Sequence, residues 1–328
     1  MKPPRFLFIE TTTECNLRCR MCHLWMTREP STTLRTNEKI RLVEELAAWS
    51  SGAVVVLTGG ETMQKTDEFF ALTSACRRHG LSSAANTNGT LIDEAMVDRL
   101  LSEGPRHLVL SLDSQRPELH DRMRGRSGTW ERVVSAIRTL VKRRAAAFTN
   151  SDVRVMVNCI LFDENLADLA GFIATVTDLG VDGIMFQVLD RTFGNRSKVD
   201  VSFETHFPRD RKALEAAFET IAASRARGAP IVTTDADLRF MRLYAERPDA
   251  VSDQVCGSAE RNLMVDMHGN VQLCFNMHSL FGGRVLGNVR DGGLRCWWDS
   301  EFASEARGIM SECRKSCGML NCHRKDGA

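Results

Sequence analysis

Along the first 190 residues, short continuous apolar runs alternate with stretches in which apolar positions recur every three or four residues. Runs such as AVVVLT at 53–58 and HLVLSLD at 107–113 are typical of strands that are buried on both faces. Stretches such as NEKIRLVEELAAWS at 37–50 place their apolar residues on one face of a helix. Further strands are predicted at 5–10, 82–89, 152–162 and 182–188, and further helices at 66–80, 92–104, 129–144 and 166–180.

These segments make six strand–helix units, and this alternation predicts an α/β fold with a parallel sheet and helices outside it. Six units are too few for a complete eight-stranded barrel. A partial (β/α)6 barrel or a doubly wound sheet remains. In both architectures, ligands bind at the carboxyl ends of the strands, so functional side chains are expected on the loops that follow them.

The alternation ends near residue 190, and the rest of the chain has a different character. Residues 191–255 contain a polar stretch, a helix at 209–227, a short strand and a second helix. Residues 256–328 are rich in cysteine and turns, and MVDMHGNVQLC at 264–274 predicts a β-hairpin. We therefore divide the chain into a core at 1–190, a link at 191–255 and a small cysteine-rich domain at 256–328.

The composition is that of a globular protein, with 43% apolar and 26% charged residues and a formal net charge of +1. This balance argues against a nucleic-acid partner or an anionic membrane surface. The chain has no signal peptide and no apolar run of about 20 residues, so we expect a cytoplasmic protein that does not span a membrane. Because cytoplasmic thiols stay reduced, the eleven cysteines indicate metal ligands or catalytic groups rather than disulfides.

Three cysteines, Cys15, Cys19 and Cys22, follow the first predicted strand in the segment CNLRCRMC, with C-x3-C-x2-C spacing. Three thiolates on a short loop can hold three irons of a four-iron cluster and leave the fourth iron open to an external ligand. A structural zinc ion would need four protein ligands. His23 adjoins Cys22 and is poorly placed to complete a tetrahedron, so zinc is the less favoured alternative.

This segment resembles the hallmark of the radical S-adenosylmethionine (radical SAM) superfamily, C-x3-C-x-φ-C, in which φ is usually aromatic. Met21 stands at the φ position here, which weakens the inference of an aromatic contact with adenine. The resemblance implies a [4Fe–4S] cluster on the three cysteines, with SAM on its fourth iron. It also implies reductive cleavage of SAM to a 5′-deoxyadenosyl radical, with electrons from an external donor such as flavodoxin or ferredoxin.

Polar segments at the ends of later strands match further positions of this family. For TGGE at 58–61 the alternative is a tight turn without a ligand. For Asn158, within a predicted strand, the alternative is a structural side chain whose hydrogen bonds are satisfied by the protein. The resemblance implies that these segments contact the methionine amine and carboxylate, the ribose and the adenine of SAM. The candidate SAM-binding residues are Met21, Gly59, Gly60, Glu61, Asn88, Ser111, Asp113, Arg124 and Asn158.

A second group of cysteines lies in the C-terminal region, where Cys256, Gly269 and Cys274 form C-x12-G-x4-C. This pattern resembles the SPASM/twitch extension of radical SAM enzymes, which implies an auxiliary [4Fe–4S] cluster with four cysteine ligands. A zinc-stabilised tail is the alternative. We expect Cys256 and Cys274 to be joined by two of Cys313, Cys317 and Cys322.

Three further cysteines lie outside both groups. Cys76 falls within a helix and is expected in the core, and Cys296, beside two tryptophans, is expected to be packed. Cys159 follows Asn158 on a strand, where neighbours point to opposite faces. If Asn158 faces the barrel interior, Cys159 is inert. If the register is shifted, Cys159 is a catalytic candidate as hydrogen-atom donor to the substrate.

An auxiliary cluster could accept an electron from a substrate radical, which suits an oxidation. The first predicted strand begins near Phe6, with no leader-peptide recognition domain before it, and this favours a small hydroxylated substrate. We therefore expect oxidation or epimerisation of a sugar, an aminocyclitol or a nucleotide-linked sugar in natural-product biosynthesis. The alternative is a peptide-modifying radical SAM enzyme served by a separate recognition protein.

Overall fold

One mixed sheet organises the protein in a computed structural model that describes residues 2–22, 24–26, 33–190, 201–248, 256–277, 281–282, 284–314 and 317–318. Its strands, in chain order, are β1 (Phe6–Thr12), β2 (Val54–Gly59), β3 (Ser82–Thr87), β4 (His107–Ser111), β5 (Arg154–Leu161), β6 (Gly183–Val188), β7 (Asn262–Val265) and β8 (Val271–Gln272). Their order across the sheet is β6-β5-β4-β3-β2-β1-β7-β8.

The first six strands run parallel and lie side by side in chain order, as the alternating sequence pattern predicts. Their central residues are buried, since helices cover the sheet. The helices of this part are α1 (Thr36–Trp49), α2 (Thr66–Arg78), α3 (Glu94–Glu103), α4 (Pro117–Arg124), α5 (Thr129–Ala147) and α6 (Leu169–Asp178). The α/β partial-barrel architecture is confirmed.

Helix α4 is the element of the core that the hydrophobic pattern did not predict. It has eight residues, with proline at its start and Gly125 in the left-handed conformation at its end (φ 72°). Two turns are too short for a periodic pattern to emerge. The helix nevertheless matters for the site, because it carries Arg124 in its last turn.

The link contains helices α7 (Val201–His206), α8 (Arg211–Ala226) and α9 (Asp235–Glu246). The short strand expected between α8 and α9 is only a single bridge, in which Ile231 pairs with Ile184 of β6. One bridge is enough to hold the start of α9 against the open edge of the sheet. Thr233 strengthens this contact, because its hydroxyl accepts a hydrogen bond from the Phe186 amide at 2.8 Å.

The C-terminal region joins the sheet rather than standing beside it. After α10 (Ser258–Arg261), β7 pairs with β1 in parallel, from Phe6 opposite Asn262 to Ile9 opposite Val265. Strand β8 then pairs with β7 in the predicted antiparallel hairpin. Helices α11 (Gly293–Trp298) and α12 (Glu301–Ser311) follow. The division at residues 190 and 255 remains a prediction, but the sheet itself continues across it.

Two isolated cysteines have different surroundings. Cys76 is fully buried in the main hydrophobic core, as expected. Cys296 is exposed, so the expectation that it packs is wrong. Helix α11 turns Trp297 and Trp298 inward and leaves Cys296 on the outer side. None of the described helices combines the length and the apolar character that a membrane crossing requires.

Candidate functional site

A cavity of about 280 Å³ opens at the carboxyl ends of the strands. It is the place where most of the polar residues singled out in the sequence come together. Those on its wall are Cys15, Cys19, Met21, Cys22, Gly59, Gly60, Glu61, Asn88, Ser111, Arg124 and Asn158. Asp113 and Cys159 do not line it.

The three cysteines of CNLRCRMC lie on the loop after β1 and form one wall of the cavity. Burial raises the pKa of all three thiols, that of Cys22 to about 11, so the protons stay on until a metal displaces them. Within the described ranges, no three cysteine, histidine or acidic side chains converge on a single metal ion. Three thiolates can each bind one iron of a four-iron cluster, whereas a structural zinc ion needs four protein ligands. His23 lies outside the described residues.

The two glycines of TGGE bring the loop after β2 onto the cysteine loop. Gly59 has a φ of 127°, and the Gly60 amide donates to the Thr12 carbonyl at 2.7 Å. A Cβ on Gly60 would lie far inside van der Waals contact with the Glu14 carbonyl oxygen, which itself accepts from the Glu61 amide at 2.8 Å. The glycines are therefore required for the packing of two protein loops, and not only for the approach of a ligand.

We expect Gly60→Ala to distort the cysteine loop, because the added methyl group meets backbone that cannot move aside. The free energy of unfolding should fall by about 1–3 kcal/mol, the usual cost of overpacking. Iron bound at the first cysteine group should fall with it. Iron analysis and urea unfolding measure both effects. Gly52→Ala is the matched control, since no atom lies within 4 Å of a Cβ there; equal losses in both variants would contradict the explanation.

Glu61 is buried and joins two loops of the site. Its carboxylate accepts from the Met63 amide at 3.1 Å, the Thr87 hydroxyl at 2.8 Å and the Asn88 amide at 2.7 Å. Burial raises the pKa of Glu61, and these hydrogen bonds oppose the rise. The main task of this carboxylate is thus to hold the loop after β3 against the loop after β2.

Asn88 continues this chain of contacts to the cysteine loop. Its side-chain Nδ2 donates to Asn16 Oδ1 at 2.8 Å and lies 3.9 Å from Cys15 Sγ. Its Oδ1 accepts from the amide and hydroxyl of Thr90 at 3.0 and 2.6 Å. Asn88 therefore fixes the cysteine loop from a second side, while it still forms part of the cavity wall.

Arg124 reaches the cavity from the end of α4, and Asp113 holds it there. The Nε and Nη2 atoms of Arg124 each lie 2.7 Å from Asp113 Oδ2, and both side chains are buried. Burial lowers the pKa of Arg124, but Asp113 and Cys19 beside it raise the pKa by more. Asp113 does not line the cavity, and its carboxylate binds Arg124, so Asp113 positions this cation, while its predicted contact with SAM stays a prediction.

His120 supports Asp113 and was missed in the sequence. The Asp113 amide donates to His120 Nδ1 at 3.2 Å, and burial lowers the pKa of His120 to about 4. The imidazole is therefore neutral at pH 7, which lets Nδ1 accept this hydrogen bond. His120 and Arg124 are close in the sequence, in HDRMRG at 120–125, but no periodic signal linked them to the end of β4.

Asn158 and Ser111 are paired neighbours on β5 and β4 and both line the cavity. Asn158 Oδ1 is buried, and no donor among the described residues reaches it. A buried acceptor without a partner costs about 1–3 kcal/mol, so a ligand hydroxyl or amine fits this position. Cys159 takes the opposite face, fully buried and 3.6 Å from the Asp113 carbonyl oxygen. This is the register in which the sequence analysis expects Cys159 to be inert, with Asn158 facing the interior.

Trp25 and Met21 both line the cavity, and Trp25 supplies the aromatic ring that Met21 lacks. Its Nε1 donates to the Cys19 carbonyl at 3.3 Å, and the Arg18 guanidinium lies 5.2 Å from its ring centroid. The ring is thus fixed to the cysteine loop. It lies in a single 3₁₀ turn, Leu24–Met26, which no sequence pattern indicated.

The second cysteine group adjoins the same cavity. Cys274 lies close enough to Cys256, Cys313 and Cys317 for their charges to act on it, and burial raises the pKa of its thiol to about 12. Phe275 and Gly318, the residues that follow Cys274 and Cys317, line the cavity. Cys322 lies outside the described residues.

Residues 9–176, slightly more than half of the chain, match the Radical SAM superfamily. The chain belongs to the radical SAM superfamily. Radical SAM enzymes with this type of C-terminal extension use SAM, the [4Fe–4S] cluster that binds it and an auxiliary cluster, as the cysteine motifs predict. The donor set fits these cofactors, because the cavity is lined by three thiols and by the Asn158 oxygen, which has no partner within the described part of the chain.

Known radical SAM proteins resemble this chain over different lengths. The AdoMet-dependent heme synthase of Methanosarcina barkeri is 29% identical over 178 residues, which cover 54% of this chain and 48% of the synthase. The PqqA peptide cyclase of Granulibacter bethesdensis is 26% identical over 324 residues, which cover 97% of this chain and 80% of the cyclase. The chain thus spans about half the length of the first relative and most of the second.

A solved radical SAM structure shares the fold. Streptococcus suis SuiB, in a crystal structure bound to the precursor peptide SuiA, superimposes with a TM-score of 0.73 at 18% identity. The match covers 98% of this chain and 71% of SuiB. A SPASM-type radical SAM architecture is thereby confirmed. Peptides are named for two of these three proteins.

Proposed function

We propose that this chain is a peptide-modifying radical SAM enzyme. The observation that carries the proposal is a single cavity with one cysteine group on its wall and a second group adjoining it. A substrate in this cavity would lie near both groups. The peptide assignment is supported by the PqqA peptide cyclase, whose match extends over nearly the whole chain, including both cysteine groups. It replaces the expectation of a small hydroxylated substrate.

At the first group, Cys15, Cys19 and Cys22 would hold the [4Fe–4S] cluster. With SAM bound and an electron from a donor such as flavodoxin or ferredoxin, this cofactor pair supplies the 5′-deoxyadenosyl radical that takes a hydrogen atom from the substrate. Arg124 would pair with the methionine carboxylate, because it is a buried cation held at the cavity wall by Asp113.

The remaining SAM contacts follow from the positions of the polar atoms on the wall. Asn158 Oδ1 would accept from a hydroxyl or amine of the nucleoside, with Ser111 beside it. The Gly60 segment would lie along the methionine moiety, because the Thr12 and Glu14 carbonyls accept hydrogen bonds from its backbone and hold it at the cavity. Trp25 would offer its ring to the adenine in place of the aromatic residue that Met21 replaces.

At the second group, Cys256, Cys274, Cys313 and Cys317 would hold the auxiliary cluster. Cys274 lies near each of the other three, which supports this set. The wall between the two groups includes Met185, Leu189 and Phe275. Apolar side chains there would exclude water from the reacting atoms.

A deuterium-transfer experiment tests the substrate class. The anaerobically reconstituted enzyme is mixed with SAM, a reductant and a deuterated candidate precursor peptide, one encoded beside its gene. We expect deuterium in 5′-deoxyadenosine and a mass change in the peptide, both measured by mass spectrometry. Deuterated aminocyclitols and sugars are the control substrates. Transfer from one of these, with none from the peptide, would restore the small-molecule interpretation.

A further inference from the structure

Asn276 contacts two cysteines that are far apart in the sequence. Its backbone amide donates to Cys274 Sγ at 3.1 Å. Its side-chain Nδ2 donates to Cys317 Sγ at 3.6 Å, across a separation of 41 residues. Both distances suit N–H···S hydrogen bonds, since sulfur is larger than oxygen. One residue therefore joins the β7–β8 hairpin to the C-terminal cysteine segment through sulfur atoms.

We propose that Asn276 raises the reduction potential of the auxiliary cluster by hydrogen bonding to its ligands. The inference rests on the proposed function, which assigns Cys274 and Cys317 to that cluster. A reduced cluster carries one more negative charge, which is shared with its cysteine sulfurs. Hydrogen bonds to these sulfurs stabilise that charge, and they are among the main controls of cluster potential. Loss of a donor should therefore make reduction harder.

The Nδ2 atom is the part of this arrangement that a substitution can remove. The donor to Cys256 Sγ is the Ser258 backbone amide, and the donor to Cys274 Sγ is also a backbone amide. These two backbone donors remain when Asn276 is replaced by Ala, Asp or Ser. The bond to Cys317 comes from a side chain, so a single substitution isolates it.

The position of Cys317 does not depend on Asn276 alone. The Asp190 carboxylate at the end of β6 accepts a hydrogen bond from the Gly318 amide, next to Cys317. A Cβ on Gly318 would also press on the Tyr244 ring, so this segment packs closely against the barrel. Removal of the Asn276 amide should therefore change the surroundings of the sulfur while the cysteine stays in place.

Asn276→Ala and Asn276→Asp test the proposal in the complete holoenzyme. Redox titration followed by electron paramagnetic resonance gives separate midpoint potentials for the two clusters. We expect the auxiliary midpoint to shift negative in Asn276→Ala and further in Asn276→Asp, which adds a negative charge. The midpoint of the first cluster is the internal control and should not move. Iron content should equal that of the wild type.

Asn270→Ala is the matched control, because the Asn270 amide donates to Asp266 in the same hairpin and not to sulfur. An unchanged auxiliary midpoint in both Asn276 variants at full iron content would overturn the proposal. If Asn276→Ala loses iron, the auxiliary midpoint of Asn276→Ser is measured instead. The serine side chain is too short to reach Cys317, so the same negative shift is expected. A wild-type protein without any auxiliary signal would instead overturn the proposed function.

Discussion

A triple variant, Cys15→Ala, Cys19→Ala and Cys22→Ala, is expected to lose SAM cleavage entirely and to keep its second cluster. The wild-type protein, purified without oxygen, should contain about eight irons, and the variant about four. The two cysteine groups lie on separate segments, so the loss of one should leave the ligands of the other intact. Iron analysis and chromatography of 5′-deoxyadenosine measure the two results.

The control for this variant is the substitution of one cysteine that lies outside both groups. Cys296→Ala suits this purpose, because Cys296 is exposed and belongs to neither group. It should keep full cleavage and all of its iron. Residual SAM cleavage in the triple variant would show that the roles of the two groups are wrongly assigned. Fewer than about five irons in the reconstituted wild type would contradict the second cluster.

Asp113→Asn is the second substitution for which we expect a large effect. Arg124 is buried, and Asp113 is the carboxylate that balances its charge. Removal of one partner of a buried ion pair typically destabilises a protein by about 3–5 kcal/mol. SAM binding should also weaken, because Arg124 loses the contact that directs it to the cavity. Urea unfolding and equilibrium dialysis with SAM measure these two losses.

An exposed ion pair provides the comparison. Arg143 and Asp98 form a well-aligned pair on the surface, between α5 and α3. Asp98→Asn should leave SAM binding unchanged, since solvent screens such pairs and the site is remote. If Asp113→Asn loses stability but binds SAM as tightly as the wild type, Asp113 supports the fold and does not position Arg124 for the ligand.

The sequence predicts the six parallel strands because each is a short apolar run between helical patterns. The parallel strands therefore bring the segments that end them, TGGE at 58–61, NTNG at 86–89 and SLD at 111–113, to the same edge of the sheet. The cavity lies at this edge. Motif spacing identified the first group of cysteines for a different reason, because its three thiols lie on one short loop. Apolar runs and motif spacing both depend on residues that are close in the sequence, so a single sequence is enough to predict these features.

The missed features depend on contacts between distant segments. Alternation indicates that Asn158 and Cys159 point to opposite faces, but only the pairing of β4 with β5 shows which one faces the cavity. The sequence likewise places Asp113 at a strand end and Arg124 on the next segment, without showing that they pair. Side chains that support a ligand-binding residue are identified by packing, which has no sequence period.

The pairing of β7 with β1 has a consequence for aggregation. Strand β1 contains FLFI, an apolar run that lies at the end of the parallel array. Flat apolar strands with unpaired backbone groups are templates for association between chains. Strand β7 occupies those groups from Phe6 to Ile9, and the bridge of Asn270 with Asn288 continues the cover beyond β8. The segment that carries the second cysteine group thus also covers an apolar strand at the end of the parallel array.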